Sequence, residues 1–369
     1  MKVLFVATVV KTHINAFHLP YIKMFKDKGW ETAVCAKNDF ENKEDCVIPN
    51  CDKFYDLPFE RNPFKLNNIK VFKKLRKLIK EEKYDIIHCH TPTGGVLARL
   101  AAKLSGSKKT RVIYTAHGFH FYKGAPIKNW LLYFPIEWLC SFLTDTLITI
   151  NKEDFEFAQK HMHAKEIKYV PGVGIDTEKF ANVTCDKAQK RKELGIPENA
   201  TVLLSVGELN ANKNHETVIK ATSNLDVYYI IVGQGGLEEH LKSVAQNHNI
   251  SDRVKFLGFR NDIVELCKSS DIFVFPSFRE GLPVALMEAM ASGLPCVASK
   301  IRGNTDLIDE GKGGFLFTLD DSDDLTKKLS TIINDVKLAK YFGNNNIAKI
   351  KNFENNVIFK TLDNVYFSK

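Results

Sequence analysis

Two carboxylates, Glu280 and Glu288, stand with seven residues between them in the stretch 275–299, FPSFREGLPVALMEAMASGLPCVAS. From Gly281 to Ser299, Glu288 is the only charged side chain. A carboxylate accepts hydrogen bonds from sugar hydroxyls, and the free amides of a helix N-terminus attract phosphate. Pro283 suits the first position of a helix and Gly293 the position just past its end, which predicts a helix over 283–292. Such a helix is apolar on nearly every face and is expected to be buried. Glu280 then precedes its N-terminus, and Glu288 lies roughly 7.5 Å along the axis from Pro283. Two carboxylates line one wall at different depths, with backbone N–H groups at the tip. That arrangement suits a ligand with hydroxyls at both ends and phosphate between them. The competing account is structural: Glu280 caps the helix, and Glu288 is an internal acid satisfied by nearby donors, since a buried charge needs partners.

These residues need elements to position them. A β-branched and aromatic run at 271–275 predicts a strand that Pro276 ends. Further strands are predicted at 2–10, 30–36, 84–90, 111–116 and 147–150, the last closing a first domain, and at 200–206, 227–232, 254–258 and 295–298. A helix over 17–28 links the first two strands, and this βαβ alternation predicts parallel sheets. Ligands of such sheets bind beyond the carboxyl ends of the strands. Histidines cluster there: His13 in the loop after the first strand, His88 and His90 before the loop 91–95, and His117 and His120 after 111–116. Their repeated placement selects His117 as a site residue, whereas structural roles are expected for His13, His88, His90 and His120. In the second half, Gly207 and Lys213 follow one strand and Gly233 opens a glycine-rich turn after the next; glycine lets backbone amides approach phosphate or ribose. The last helices are predicted over 321–340 and 355–367.

Glu280-x7-Glu288, set within F-x-E-G-L-P-x-x-x-x-E-A-x-A-x-G-x-P, resembles the signature of the retaining glycosyltransferases of family 4, which have the GT-B fold. H-x-H-T-P at 88–92, T-x-H-G-x-x-F at 115–121, the glycine-rich connection at 170–180 and the element at 207–214 are similar to further patterns of that family. The resemblance spans essentially the whole chain. It implies two Rossmann-like domains with parallel sheets facing a cleft: 1–171, joined by the terminal helix 355–369, for the acceptor, and 172–354 for a nucleotide-sugar donor, with UDP as its nucleotide. It also implies roles. Glu288 would hold the ribose. Glu280 and the backbone of Gly281, Leu282 and Pro283 would hold the donor sugar. Lys213 would hold the diphosphate, with Gly207 and Gly233 beside it, and the backbone near Phe259 and Arg260 would hold the base. His117 would stand by the reacting sugar. In retaining enzymes of this fold the leaving diphosphate takes the acceptor's proton, and the protein aligns and stabilises charge. Two departures stand out: Glu208 occupies a place where the family has arginine, and Thr12–Asn15 replaces a Gly-Gly loop. A like charge near a phosphate costs affinity unless it points away. With no D-x-D after a strand, neither a metal nor another cofactor is expected.

The chain's 369 residues suit two domains, and its composition is that of an ordinary globular protein. Its eight cysteines show no C-x-x-C spacing, which fits reduced thiols in a cytoplasmic setting. No leader-type segment or membrane span is expected. Residues 1–182 carry a net charge of +9 and residues 183–369 carry −1. That asymmetry points to a polyanionic or membrane-surface partner for the first half. The basic helix predicted over 67–83, with Ile69, Phe72, Leu75 and Ile79 on its apolar face, is either an ordinary surface helix or a membrane-surface element. The aromatic-rich stretch 122–142 is expected to be mainly core.

The resulting expectation is a retaining glycosyltransferase of bacterial capsule or exopolysaccharide synthesis, peripheral on the inner face of the membrane. It would move a sugar from a UDP-sugar to a lipid-linked or growing glycan acceptor, with no nucleic-acid partner. Two rivals are a UDP-N-acetylhexosamine 2-epimerase-like enzyme and a non-catalytic nucleotide-sugar-binding partner subunit, the second favoured by Glu208.

Overall fold

The structure is a computed structural model that describes residues 1–107 and 109–367; Ser368 and Lys369, the tail of the expected terminal helix, lie outside the described residues. The chain forms two compact units, Met1–Val173 with the chain end from Ile358, and Gly174–Val357.

The first unit holds a seven-stranded parallel sheet: β1 (Lys2–Val9), β2 (Glu31–Lys37), β3 (Lys53–Asp56), β4 (Ile86–His90), β5 (Arg111–Ala116), β6 (Thr146–Thr149) and β7 (Glu166–Tyr169), in the order β3-β2-β1-β4-β5-β6-β7. Its strands are continuous apolar runs because both faces are covered by helices. Val3 to Ala7 are all fully buried. Val3, Phe5 and Ala7 join one core with Ile22, Phe25, Ile358 and Leu362, whereas Leu4 and Val6 join the other with Val71, Leu75 and Ile79. The terminal helix Asn355–Phe367 thus packs its Leu362, Val365 and Tyr366 into the first unit's core.

The second unit repeats the plan with β8 (Thr201–Val206), β9 (Val227–Val232), β10 (Val254–Phe256), β11 (Ile272–Phe275), β12 (Cys296–Ser299) and β13 (Gly314–Phe317), in the order β10-β9-β8-β11-β12-β13. In each sheet the strand order reverses once, between β1 and β4 and between β8 and β11. Ligand crevices of open parallel sheets lie at that reversal.

Several local expectations shift. The strand at 147–150 does not close the first unit's sheet, because β7 follows β6; β7 is half exposed and short, which hides it from an apolar-run reading. β3 escapes for the same reason. The helix expected over 17–28 breaks at His18 into Asn15–Phe17 and Leu19–Asp27, after a π-helical turn at Val10–Ile14. The segment 91–95 is not a loop but opens the helix Pro92–Ser105, entered through Thr91 at φ 62°. The helix expected over 321–340 is two, Ser322–Ile333 and Val336–Ile350, because Asp335 caps the second by accepting from Leu338 N–H at 2.9 Å. On the basic helix Asn67–Glu82 the buried face is Asn68, Val71, Leu75 and Ile79, while Ile69 is exposed.

The aromatic-rich segment also divides. Along the helix Ile127–Ser141, Trp130, Tyr133 and Phe134 pack against the core, but Ile127, Leu131 and Leu139 are 78%, 74% and 60% exposed. One buried ion pair ties this helix down. Arg99 Nη2 donates to Glu137 Oε2 at 2.8 Å, and Tyr114 Oη donates to Glu137 Oε1 at 3.2 Å. Arg99 Nε also donates to Gly95 O at 2.9 Å, and the guanidinium lies 3.9 Å from the Tyr114 ring centroid. Breaking a buried pair from one side strands the other charge, at about 3–5 kcal/mol. Glu137→Ala is therefore expected to lower the melting temperature sharply, and Glu137→Gln, which keeps hydrogen-bond capacity, to lower it less; calorimetry on the purified chain checks both.

Candidate functional site

In the second unit the loops that leave β8 and β11 are laced together. Phe278 N–H donates to Asn212 O at 2.8 Å, and Asn212 Nδ2 donates to Arg279 O at 3.1 Å. This brings Lys213 Nζ to 2.7 Å from Glu280 Oε1, with the ammonium 4.9 Å from the Phe275 ring centroid. Arg302, in the loop after β12 and buried, donates through Nε to Glu280 O at 3.2 Å. Two cations therefore flank Glu280. Gly303 follows at φ +80°, and a Cβ there would lie 2.4 Å from Gly281 O, so only glycine lets these loops meet. Gly207 and Gly233 approach as closely: a Cβ on Gly233 would lie 1.9 Å from Gly207 O.

The helix after Glu280 runs Val284–Ala291, one residue later than expected, because Pro283 keeps an extended ψ of 118° and serves as its N-cap. Its first intrahelical bond is Met287 N–H to Pro283 O, which leaves the amides of Val284 to Leu286 without intrahelical acceptors. Glu288 sits half-buried on this helix between apolar neighbours. Burial pushes its carboxyl above the ordinary range, and Lys179 opposes the shift. Glu208 is exposed. Phe259 is also exposed, and Arg260 forms a bidentate pair with Asp262, Nε to Oδ1 at 2.7 Å. Both follow β10, two strands from β8, and their turn is tied to Gly233, whose N–H donates to Gly258 O at 2.9 Å.

In the first unit the reversal point carries histidines. Val6 pairs with Cys89 and His90 with Thr115, which aligns the ends of β1, β4 and β5. His117 follows β5, and its Nε2 lies 3.4 Å from His90 Nδ1. His13, on the π-helical turn, places Nε2 3.2 Å from His18 Nε2, and the rings of His18 and His90 stack at 3.8 Å. Burial holds all four imidazoles below their usual pKa, His117 down to about 4. His88 is apart: it bonds Thr115 Oγ1 and Tyr366 Oη, each at 2.8 Å, and is a satisfied core histidine. Beside the cluster lies a pocket of about 310 Å³ lined by Thr8, Thr12, His13, Arg61, Thr91 and His120, among others.

Lys213, Glu280 and the backbone of Gly281 to Pro283 are thus brought together, with Gly207 and Gly233 packed beside them and Glu288 farther along the same helix. Sequence reasoning missed the place of Arg302, which a loop cation after a strand only hints at, and it missed His18, which a continuous helix over 17–28 would have turned away. It also did not anticipate that His13 and His90 lie beside His117.

Two open parallel sheets with one reversal each are the architecture of the GT-B glycosyltransferases. The chain aligns with Anabaena Alr3699/HepE in complex with UDP and glucose over 99% of each chain, with a TM-score of 0.82 at 21% identity. Residues 2–151 match the family described as "Glycosyl transferase 4-like" and residues 186–349 the one described as "Glycosyl transferases group 1". The chain is 40% identical to EpsD of Bacillus subtilis (strain 168), over 93% of this chain and 90% of that protein. It is 36% identical to the Escherichia coli UDP-Gal:alpha-D-GlcNAc-diphosphoundecaprenol alpha-1,3-galactosyltransferase, over 83% and 80%. The chain belongs to glycosyltransferase family 4 and is a retaining glycosyltransferase. Membership in a transferase family lends no support to the epimerase or to the non-catalytic subunit.

Glu288 yields a test with a definite sign. Its raised pKa means that the folded chain holds this proton more tightly than the unfolded chain does, so the group's contribution to stability is present below about pH 4.5 and is lost as pH rises through the raised value. Glutamine at this position does not ionise. Glu288→Gln is expected to melt higher than the natural chain at pH 7 and alike at pH 4. The family resemblance implies that Glu288 accepts hydrogen bonds from a ribose; on that reading the loss of bonds to a charged acceptor, worth about 1.5–3 kcal/mol each, weakens nucleotide binding by about tenfold to a hundredfold. Melting curves at the two pH values and a UDP titration measure the two effects.

Proposed function

We propose that this glycosyltransferase moves a sugar from a UDP-sugar to a lipid-diphosphate-linked glycan in the synthesis of a bacterial surface polysaccharide. The observation that carries the proposal is Lys213 and Arg302 flanking Glu280, beside a helix N-terminus with free amides and with Glu288 farther down the same helix. Cations and amides suit a diphosphate, and the two carboxylates suit the hydroxyls of the sugar and the ribose. Arg302 supplies the second cation that Glu208 does not. The donor diphosphate then needs no metal to neutralise its charge as it leaves. On departure it takes the acceptor hydroxyl's proton on the face it vacates, so configuration is retained and the chain supplies alignment and electrostatic stabilisation. We assign Lys213 and Arg302 to the diphosphate, Glu288 to the ribose, Glu280 and the backbone of Gly281 to Pro283 to the sugar, the backbone near Phe259 and Arg260 to the base, and His117 to the reacting sugar. The Escherichia coli relative's name, with its UDP-linked donor and diphosphoundecaprenol-linked acceptor, supports the choice of both substrates.

The acceptor is assigned to the first unit, and with it a peripheral place on an anionic leaflet. Among the described residues no helix is long and apolar enough to cross a membrane. On Asn67–Glu82, Lys70, Lys73, Lys74, Arg76, Lys77 and Lys80 are exposed. The exposed apolar residues Ile127, Leu131 and Leu139 lie on a helix that packs, like the basic one, against Pro92–Ser105. A cationic helix and an apolar face flanking one helix suit an interface of charged headgroups and acyl chains.

Two measurements test these assignments. UDP at 100 times its Kd should stabilise the chain by about 2.7 kcal/mol in a thermal shift, GDP and ADP should not, and Glu288→Ala should abolish the effect. A chain that no nucleotide stabilises would refute the donor assignment. For the membrane, reversing Lys70, Lys73 and Lys77 to Glu should weaken sedimentation with anionic vesicles by about a hundredfold, at about 1 kcal/mol for each basic residue lost. Equal binding by the natural chain and the triple variant would remove that helix from the interface.

A further inference from the structure

The histidines of the first unit make up more than a catalytic position. His13, His18, His90 and His117 each present a ring nitrogen, and these four atoms all lie within 4.8 Å of one another. They come from four separate places: the π-helical turn after β1, the break between two helices, the end of β4 and the residue after β5. π-Helical turns are rare and are frequent at functional sites. Here the turn carries His13, whose Nε2 lies 3.2 Å from His18 Nε2.

The spacing is informative. A tetrahedral zinc ion with Zn–N bonds of about 2.0–2.1 Å sets its ligand nitrogens about 3.3 Å apart. His13 Nε2 and His18 Nε2 are 3.2 Å apart, and His117 Nε2 and His90 Nδ1 are 3.4 Å apart. Two opposite edges of such a tetrahedron are therefore already in place, and the stacked rings of His18 and His90, 3.8 Å apart, would have to part for the ion to enter. The nitrogens that face each other in these pairs are within hydrogen-bond distance, so a metal would take the place of those contacts. The second nitrogens of two of the rings, His18 Nδ1 and His90 Nε2, point away from these edges and are buried without a hydrogen-bond partner.

We propose that His13, His18, His90 and His117 form a binding site for a divalent first-row transition metal of the zinc class. Imidazoles alone, with no carboxylate or thiolate among them, suit zinc, cobalt, nickel or copper and not magnesium or calcium, which take oxygen ligands. The donor diphosphate is assigned to other groups, Lys213 and Arg302 of the second unit. Arg61 acts on His13 as a neighbouring positive charge and lowers the affinity for a dication relative to a site with a carboxylate. His117 cannot serve the metal and a sugar through one nitrogen at the same time, so the site is tested by metal content and spectroscopy rather than by transfer.

The full chain is stripped with a chelator and dialysed against Zn2+ or Co2+. One equivalent of metal should be retained, and bound Co2+ should show the intense visible absorption of four-coordinate geometry. His13→Gln, a half-exposed position that should fold normally, is expected to weaken binding by about tenfold or more, since even residues behind metal ligands cost 10–100-fold. His18→Gln should do the same where melting shows it folded. His248→Gln, at an exposed position outside the cluster, should bind like the natural chain. No retained metal, a six-coordinate cobalt spectrum, or unchanged binding by His13→Gln each overturns the proposal.

Discussion

A parallel sheet delivers the carboxyl end of every strand to one edge, and the chemistry of both units follows from that constraint. Strands covered on both faces can carry little but apolar side chains, so polar groups must wait for the loop beyond each strand. In the first unit His90 ends β4 and the segments beyond β1 and β5 carry His13 and His117, and in the second the loops carry Gly207, Lys213, Glu280 and Arg302. The single reversal of strand order in each sheet then selects which loops meet. Lys213 follows β8 and Glu280 follows β11, strands that pair directly, and this adjacency sets their side chains 2.7 Å apart.

The charges at that edge are arranged at the expense of the resting fold. Glu288 keeps its carboxylate among apolar neighbours, where desolvation disfavours the ionised form. Glu280, by contrast, has a cation on its carboxylate and another on its backbone carbonyl. One acid is therefore held ready by partners and the other is left short of them.

Close backbone contact matters as much as charge. Gly233 against Gly207, and Gly303 against Gly281, admit no side chain at either contact. These glycines let four loops converge tightly enough for amides, rather than long side chains, to form much of the surface. Glu208, the departure that raised doubt in the sequence, is exposed, and Arg302 provides a cation from a different loop.

The sequence by itself determined the fold class and the second unit's carboxylates. Apolar runs alternating with helical patterns admit few topologies, and the Glu280 to Glu288 stretch keeps strand, loop and helix together in one short local segment whose geometry is set by nearest neighbours. Even there the helix began one residue later than expected, because Pro283 took the cap. Short half-exposed strands such as β3 and β7 escaped, since pairing and not apolar content defines them. What only tertiary structure decided was which distant residues meet. His18, at a break between two helices, meets His13 on the π-helical turn and His90 at the end of β4. Arg302 reaches Glu280 because two loops pack through glycine, and Ile127, Leu131 and Leu139 turn outward because Glu137 anchors the opposite face to Arg99. Each outcome depends on contacts between residues far apart in the chain, which local spacing does not encode.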